Sequence, residues 1–219
     1  MARRLDKERA LQLRVRGKSY SEIKTTLGIS KSTLSGWLKN YPLSKKRLKE
    51  LQSHSEKRIE HFRDTMARKR QKKINLQHKK VEQNIKNLSK RDLFIGGFFL
   101  FWGEGAKGRN SQVALANTDP SIIKFFIQWL DLLGVERTKI KFTLHLYRDM
   151  NIENELRFWS KELRVAQSQF HKPYIKNTNQ SNITYKPGFG HGTCNARYFN
   201  QELNDYVLMG MKVIKDRLT

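Results

Sequence analysis

Charged and apolar residues are segregated along this 219-residue chain, and the segregation decides where a core can form. Residues 1 to 90 carry 26 Lys or Arg against 8 Asp or Glu, a surplus of 18, whereas residues 91 to 219 carry 18 against 12, a surplus of 6. Hydrophobic residues are 37% of the chain and gather after residue 92, so a sizeable core is expected only there. Three segments follow: a small basic head (1–43), a basic helical connector (44–91) and a globular domain (92–219). A net charge of +24 repels itself unless an anionic partner compensates it, which makes nucleic acid the leading partner and an anionic membrane surface the rival. The longest strongly apolar stretch, Leu93 to Trp102, is about half of what a bilayer span requires. The opening MARRLDKERA lacks the apolar segment of a signal peptide, and the single Cys194 excludes an intramolecular disulfide framework. A cytoplasmic, reducing location with no membrane partner is therefore expected.

The head reads as three short helices. Ala10, Leu11, Leu13 and Val15 mark the first, from Asp6 to Arg16, and Gly17 stops it. The second runs from Ser21 to Leu27 and is stopped by Gly28. Ser30 can cap a third, which places Leu34, Trp37 and Leu38 on one face and Lys31, Ser32, Thr33, Ser35 and Lys39 on the other. This stretch, SEIKTTLGISKSTLSGWLK, resembles the helix-turn-helix of resolvases and of the promoter-reading region of sigma factors, with LGIS as the turn. Lys24 departs from that pattern, which has a small residue there. The resemblance implies a third helix that enters the major groove, with Lys31 and Lys39 on phosphates and Ser32, Thr33 and Ser35 near base edges. None of the five is an Arg, Asn or Gln, so one head should discriminate modestly and a dimer with two half-sites is the expected remedy.

Residues 44 to 89 contain no glycine or proline. Leu48, Leu51, Ile59, Phe62, Met66, Ile74, Val81, Ile85 and Leu88 form an apolar stripe at helical spacings. One continuous helix of roughly 45 residues would extend about 65 to 70 Å. A two-stranded coiled coil, a lone basic helix and a pair of shorter helices all fit, since Ser55, Lys69 and Lys73 interrupt the seam. The run Arg68, Lys69, Arg70, Gln71, Lys72, Lys73 adds Arg68, Arg70, Lys72 and Lys73 as candidate phosphate contacts, although such a run is often only a solvated face.

Past residue 92 helix and strand patterns alternate. A helix from Leu93 to Gly105 precedes a strand (Gln112 to Ala116), a helix from Ser121 to Leu133 capped by Asp119 or Thr118 with Pro120 first, a strand (139–147) and a helix (Ile152 to Leu163). Strands near Phe170 to Lys176 and Thr193 to Phe199 and a last helix from Gln201 to about Lys215 complete a mixed sheet with helices on one side. Phe98, Phe99 and Phe101 are expected in the core. The segment Gly97-Phe-Phe-Leu-Phe-Trp-Gly-Glu-Gly105 resembles a divergent LAGLIDADG motif, and the likeness extends over about residues 92 to 214. It implies a helix that packs on a copy of itself, with Gly96 and Gly103 at the close contact, and Glu104 as candidate metal ligand and catalytic acid. The long DNA-contacting hairpin of that family is missing, and one chain supplies one motif, so cutting both strands would need a homodimer.

Cys194 with His191 has metal-like spacing, but a core cysteine is the simpler expectation. His145 is a candidate base or a sheet-face histidine. The chain as a whole is expected to be α+β: a three-helix helix-turn-helix, a long basic helical connector and a mixed α/β LAGLIDADG-like domain. The expected function is sequence-specific binding of double-stranded DNA by a dimeric transcription regulator without a cofactor. The alternative is a homodimeric, magnesium-dependent endonuclease of the LAGLIDADG type.

Overall fold

A computed structural model describes residues 2–51, 54–85, 87–108, 111–179 and 190–218. It is of mixed α+β class and divides into two compact units, Met1–Lys86 and Asn87–Thr219. No helix among the described residues is long and apolar enough to cross a membrane.

The first unit is helical: α1 (Ala2–Val15), α2 (Tyr20–Leu27), α3 (Lys31–Leu38), α4 (Lys45–Glu50) and α5 (His54–Asn84). Local chemistry sets the ends. Ser19 and Glu22 form a reciprocal capping box on α2, and Ser30 and Ser44 cap α3 and α4. Gly28 closes α2 with φ of +68°, a left-handed conformation that glycine adopts without a Cβ penalty. Ala10, Tyr20, Ile23, Leu34 and Leu38 form the core, with Leu11, Leu13, Leu27, Ile29, Trp37 and Ile59 packed at its edge.

One expectation changes here: Val15 is exposed and its neighbour Arg14 is buried instead. Of the readings open for the segment from residue 44, the structure has two helices, because α4 ends where Leu51 turns extended and buries its side chain. Ile59 packs on the head, whereas Phe62, Met66, Ile74, Val81 and Ile85 are exposed. Residues 44 to 86 thus belong to the same compact unit as the head.

The second unit contains α6 (Lys90–Glu104), β1 (Gln112–Asn117), α7 (Pro120–Leu132), β2 (Lys141–Tyr147), α8 (Ile152–Leu163), β3 (Tyr174–Lys176), β4 (Thr193–Phe199) and α9 (Gln201–Leu218). The strands order β1-β4-β2-β3, with β4 antiparallel to both neighbours and β2 parallel to β3. The strand expected from Phe170 is shorter: Phe170 only bridges Phe142 after a 3-10 turn, and pairing resumes at Tyr174. Val113, Leu115, Phe142, Leu144, Leu146, Cys194 and Ala196 turn one sheet face into a core with Phe98, Phe101, Phe126, Trp129 and Trp159. The indole groups do not go unpaired: Trp129 donates to Phe94 O at 3.0 Å and Trp159 to His191 O at 2.8 Å. Phe99 departs from the expected core trio, since it is 48% exposed and stacks on Trp102.

Candidate nucleic-acid interface

In the first unit the third helix, KSTLSGWL, contains no carboxylate. Leu34 and Leu38 anchor it inward, which leaves Lys31, Ser32, Thr33, Gly36 and Lys39 exposed. At its start Ser30 Oγ accepts from the Thr33 amide at 3.2 Å and lies 2.9 Å from Thr33 Oγ1 and 3.3 Å from Ser32 Oγ. These hydroxyls keep the entry to the helix short and polar. Ser35, expected outward, is only half-exposed, and its carbonyl accepts from Arg63 Nη2 at 2.8 Å. Gly36 lies within the exposed face with nothing within 4 Å of where a Cβ would stand. A bare patch of helix backbone there permits close approach by a partner. Gly36 was missed because a glycine inside a short helix reads as a cost rather than a surface. Lys24 points to solvent.

Arg68, Arg70, Lys72 and Lys73 are all exposed on α5. At 3.6 residues per turn they do not form one patch. Arg68 and Lys72 share one side, where Arg68 pairs with Asp64 at 2.6 Å. Arg70 and Lys73 fall along the apolar stripe.

The second unit presents a surface that no sequence motif announces. The sheet face opposite the helices carries Lys141, Thr143 and His145 from β2, Thr193, Asn195 and Arg197 from β4, and Tyr174 from β3. Register places Arg197 beside Lys141, Asn195 beside Thr143, and Tyr174 beside His145. Lys176 extends the row and its Nζ lies 4.7 Å from the Tyr147 ring centre. None of these positions holds an acid. Arg197 Nη2 donates to Thr143 Oγ1 at 3.0 Å, yet Arg197 Nε, Asn195 Oδ1 and Gln112 Oε1 are buried without a partner. Burial, together with the charges of Lys176 and Arg197, holds the His145 pKa below its ordinary value. The face is therefore cationic and polar, with no acid among these positions, which suits an anionic ligand.

Glu104 ends α6 in an exposed position, and among the described residues its carboxylate has no hydrogen bond or ion pair. No group of three or more His, Cys, Asp or Glu among the described residues could hold a metal ion. Within the chain, Gly96 would place a Cβ 3.3 Å from Phe125, and Gly103 has nothing within 4 Å of where a Cβ would stand. The closest intrachain approach on α6 is at Gly97, where a Cβ would overlap the Trp129 ring. Cys194 is buried and burial pushes its thiol pKa far up, while His191 Nδ1 is held by Glu155 at 2.7 Å with its ring stacked on Phe158. The two do not form a metal pair. Compared with known proteins, the chain matches no family model, no curated protein and no solved structure.

Proposed function

We propose that the chain binds double-stranded DNA through a helix-turn-helix formed by α2 and α3, with α3 in the major groove, and acts as a dimeric transcription regulator. The observation that carries this is the exposed face of α3: lysines at both ends, short hydroxyls and a bare glycine between them, and no acid. A helix of this kind can approach base edges closely while its ends neutralise phosphate charge. The cationic open face of the sheet supports a second DNA contact by the LAGLIDADG-like unit. Two copies on two half-sites would supply the discrimination that one face without Arg, Asn or Gln lacks.

Selection of duplexes from a random pool by the full chain, followed by anisotropy titration across salt concentrations, tests the proposal. Enrichment of one motif is expected, with log K falling by about 0.9 per unit of log salt for each phosphate neutralised. An unenriched pool together with salt-independent binding would overturn it.

The exposed, unpaired Glu104 favours one second reading, a magnesium-dependent endonuclease in which two copies bring two carboxylates to one site. Incubation of supercoiled target DNA with magnesium separates the two. Linearisation by the wild type but not by Glu104→Gln would establish the nuclease; intact DNA bound equally by both would leave the regulator.

A further inference from the structure

Four helices of the first unit, α1, α2, α3 and α5, meet in one polar network. Arg14, 3% exposed at the end of α1, donates from Nη2 to both carboxylate oxygens of Glu60 on α5, at 2.9 and 2.8 Å. Its Nε donates to Tyr41 O at 2.8 Å and its Nη1 to Lys18 O at 3.2 Å. One turn along α5, Arg63 donates to Ser35 O at 2.8 Å, one of the last carbonyls of α3, which have no partner within their own helix. Both guanidinium groups lie over the Tyr20 ring of α2, with centroid distances of 4.6 Å for Arg14 and 4.3 Å for Arg63. A buried ion pair is rarely a gain over a well-packed apolar pair, so a network of this size is better explained by the orientation it enforces than by stability. What it orients is α5 against α3.

Beyond this junction the described residues of α5, from Asp64 onward, are all exposed. Arg70 repeats the Arg63 position two helical turns on, and Lys73 follows on the neighbouring side; both are exposed. At 1.5 Å per residue they stand about 10 and 15 Å past Arg63 along the helix axis. A helix pinned at the edge of the DNA-facing helix, with cations on the side that carries the pin, is placed to meet the sugar-phosphate backbone flanking the groove.

We propose that Glu60 and Arg63 are positioning residues that latch α5 to α3 at a fixed angle, so that Arg70 and Lys73 contact phosphates flanking the groove that α3 enters. The inference rests on the DNA-binding proposal above. The latch residues act through α5 and touch no DNA; Arg63 is occupied by Tyr20 and Ser35.

The test is the salt dependence of duplex binding by the full chain, with far-ultraviolet circular dichroism to confirm folding. Arg70→Ala/Lys73→Ala should lower the slope of log K against log salt by about two phosphate equivalents, near 1.8 in all. Arg63→Met should produce the same loss, and the triple variant no more than either. Arg63→Lys should also lose slope, because an ammonium group cannot lie flat on Tyr20 and cap Ser35 O together; it keeps the test decisive if Arg63→Met does not fold. Wild-type slope in Arg63→Lys would make Arg63 a phosphate contact and overturn the latch, as would additive losses in the triple variant. Absence of any salt-dependent binding by the wild type would instead overturn the DNA-binding proposal, and the latch with it.

Discussion

Gly36 offers a substitution in which stability and binding should move in opposite directions. It lies inside α3, exposed, with nothing within 4 Å of an added Cβ, so a side chain meets no intrachain obstacle. Glycine in a helix interior costs about 0.5 to 1 kcal/mol relative to alanine through backbone entropy, and leucine is nearly as good a helix former as alanine. Gly36→Ala and Gly36→Leu should therefore both raise the stability of the first unit. For a domain of roughly this size the gain corresponds to about 2 to 8 °C in Tm. Scanning calorimetry of the full chain measures it, with the transition that Leu34→Ala lowers identifying the first unit. On DNA the two variants should part: a methyl group is tolerated, whereas a leucine side chain holds the backbone of α3 away from the base edges. A loss of tenfold or more in Kd, about 1.4 kcal/mol, is expected for Gly36→Leu. Gly36→Leu with a raised Tm and undiminished affinity would refute the reasoning, because it would show that the middle of α3 does not approach DNA.

Other expectations concern both units. The Glu22 carboxylate is lowered from 4.5 to about 2: burial acts to raise it, but hydrogen bonds from Ser19 and from Lys18 outweigh burial. A depressed folded-state pKa gives stability that is present above pH 4.5 and is lost as pH falls towards about 2, so acid unfolding of the first unit should be steep there and flatter in Glu22→Gln. Gly97→Ala should destabilise the second unit by about 1 to 3 kcal/mol or more, since its Cβ overlaps Trp129, whereas Gly103→Ala should be neutral or mildly stabilising; urea unfolding compares them. Lys141→Glu should weaken duplex binding by the full chain several-fold and leave the unfolding of the second unit nearly unchanged, as read by anisotropy and calorimetry.

Much of the fold was legible because it is encoded locally. Ser30 before the third helix, Asp119 with Pro120 and the bounds of Ile152–Leu163 and Thr193–Phe199 all follow from capping and periodicity within a few residues. What was not legible depends on distant partners. Arg14 is buried because Glu60, 46 residues away, meets it, so helical periodicity alone assigned the interior to Val15. The helix breaks at Leu51 without glycine or proline because the side chain is buried by leaving the helix. The cationic sheet face depends on β4 lying between β1 and β2, which brings Arg197 beside Lys141 across 56 positions of chain. Of the proposed α3 face, all but Gly36 could be named beforehand, since its residues are contiguous.

Chemical protection of guanine N7 on a selected duplex tests the central claim most directly, because N7 is exposed only in the major groove. With wild type bound, protection should cover a short segment of each half-site and vanish when Ser32→Glu sets an acid on the face of α3. Uniform N7 reactivity in a complex shown by anisotropy to be saturated would contradict the account, since it would mean that the chain holds DNA without placing α3 in the major groove.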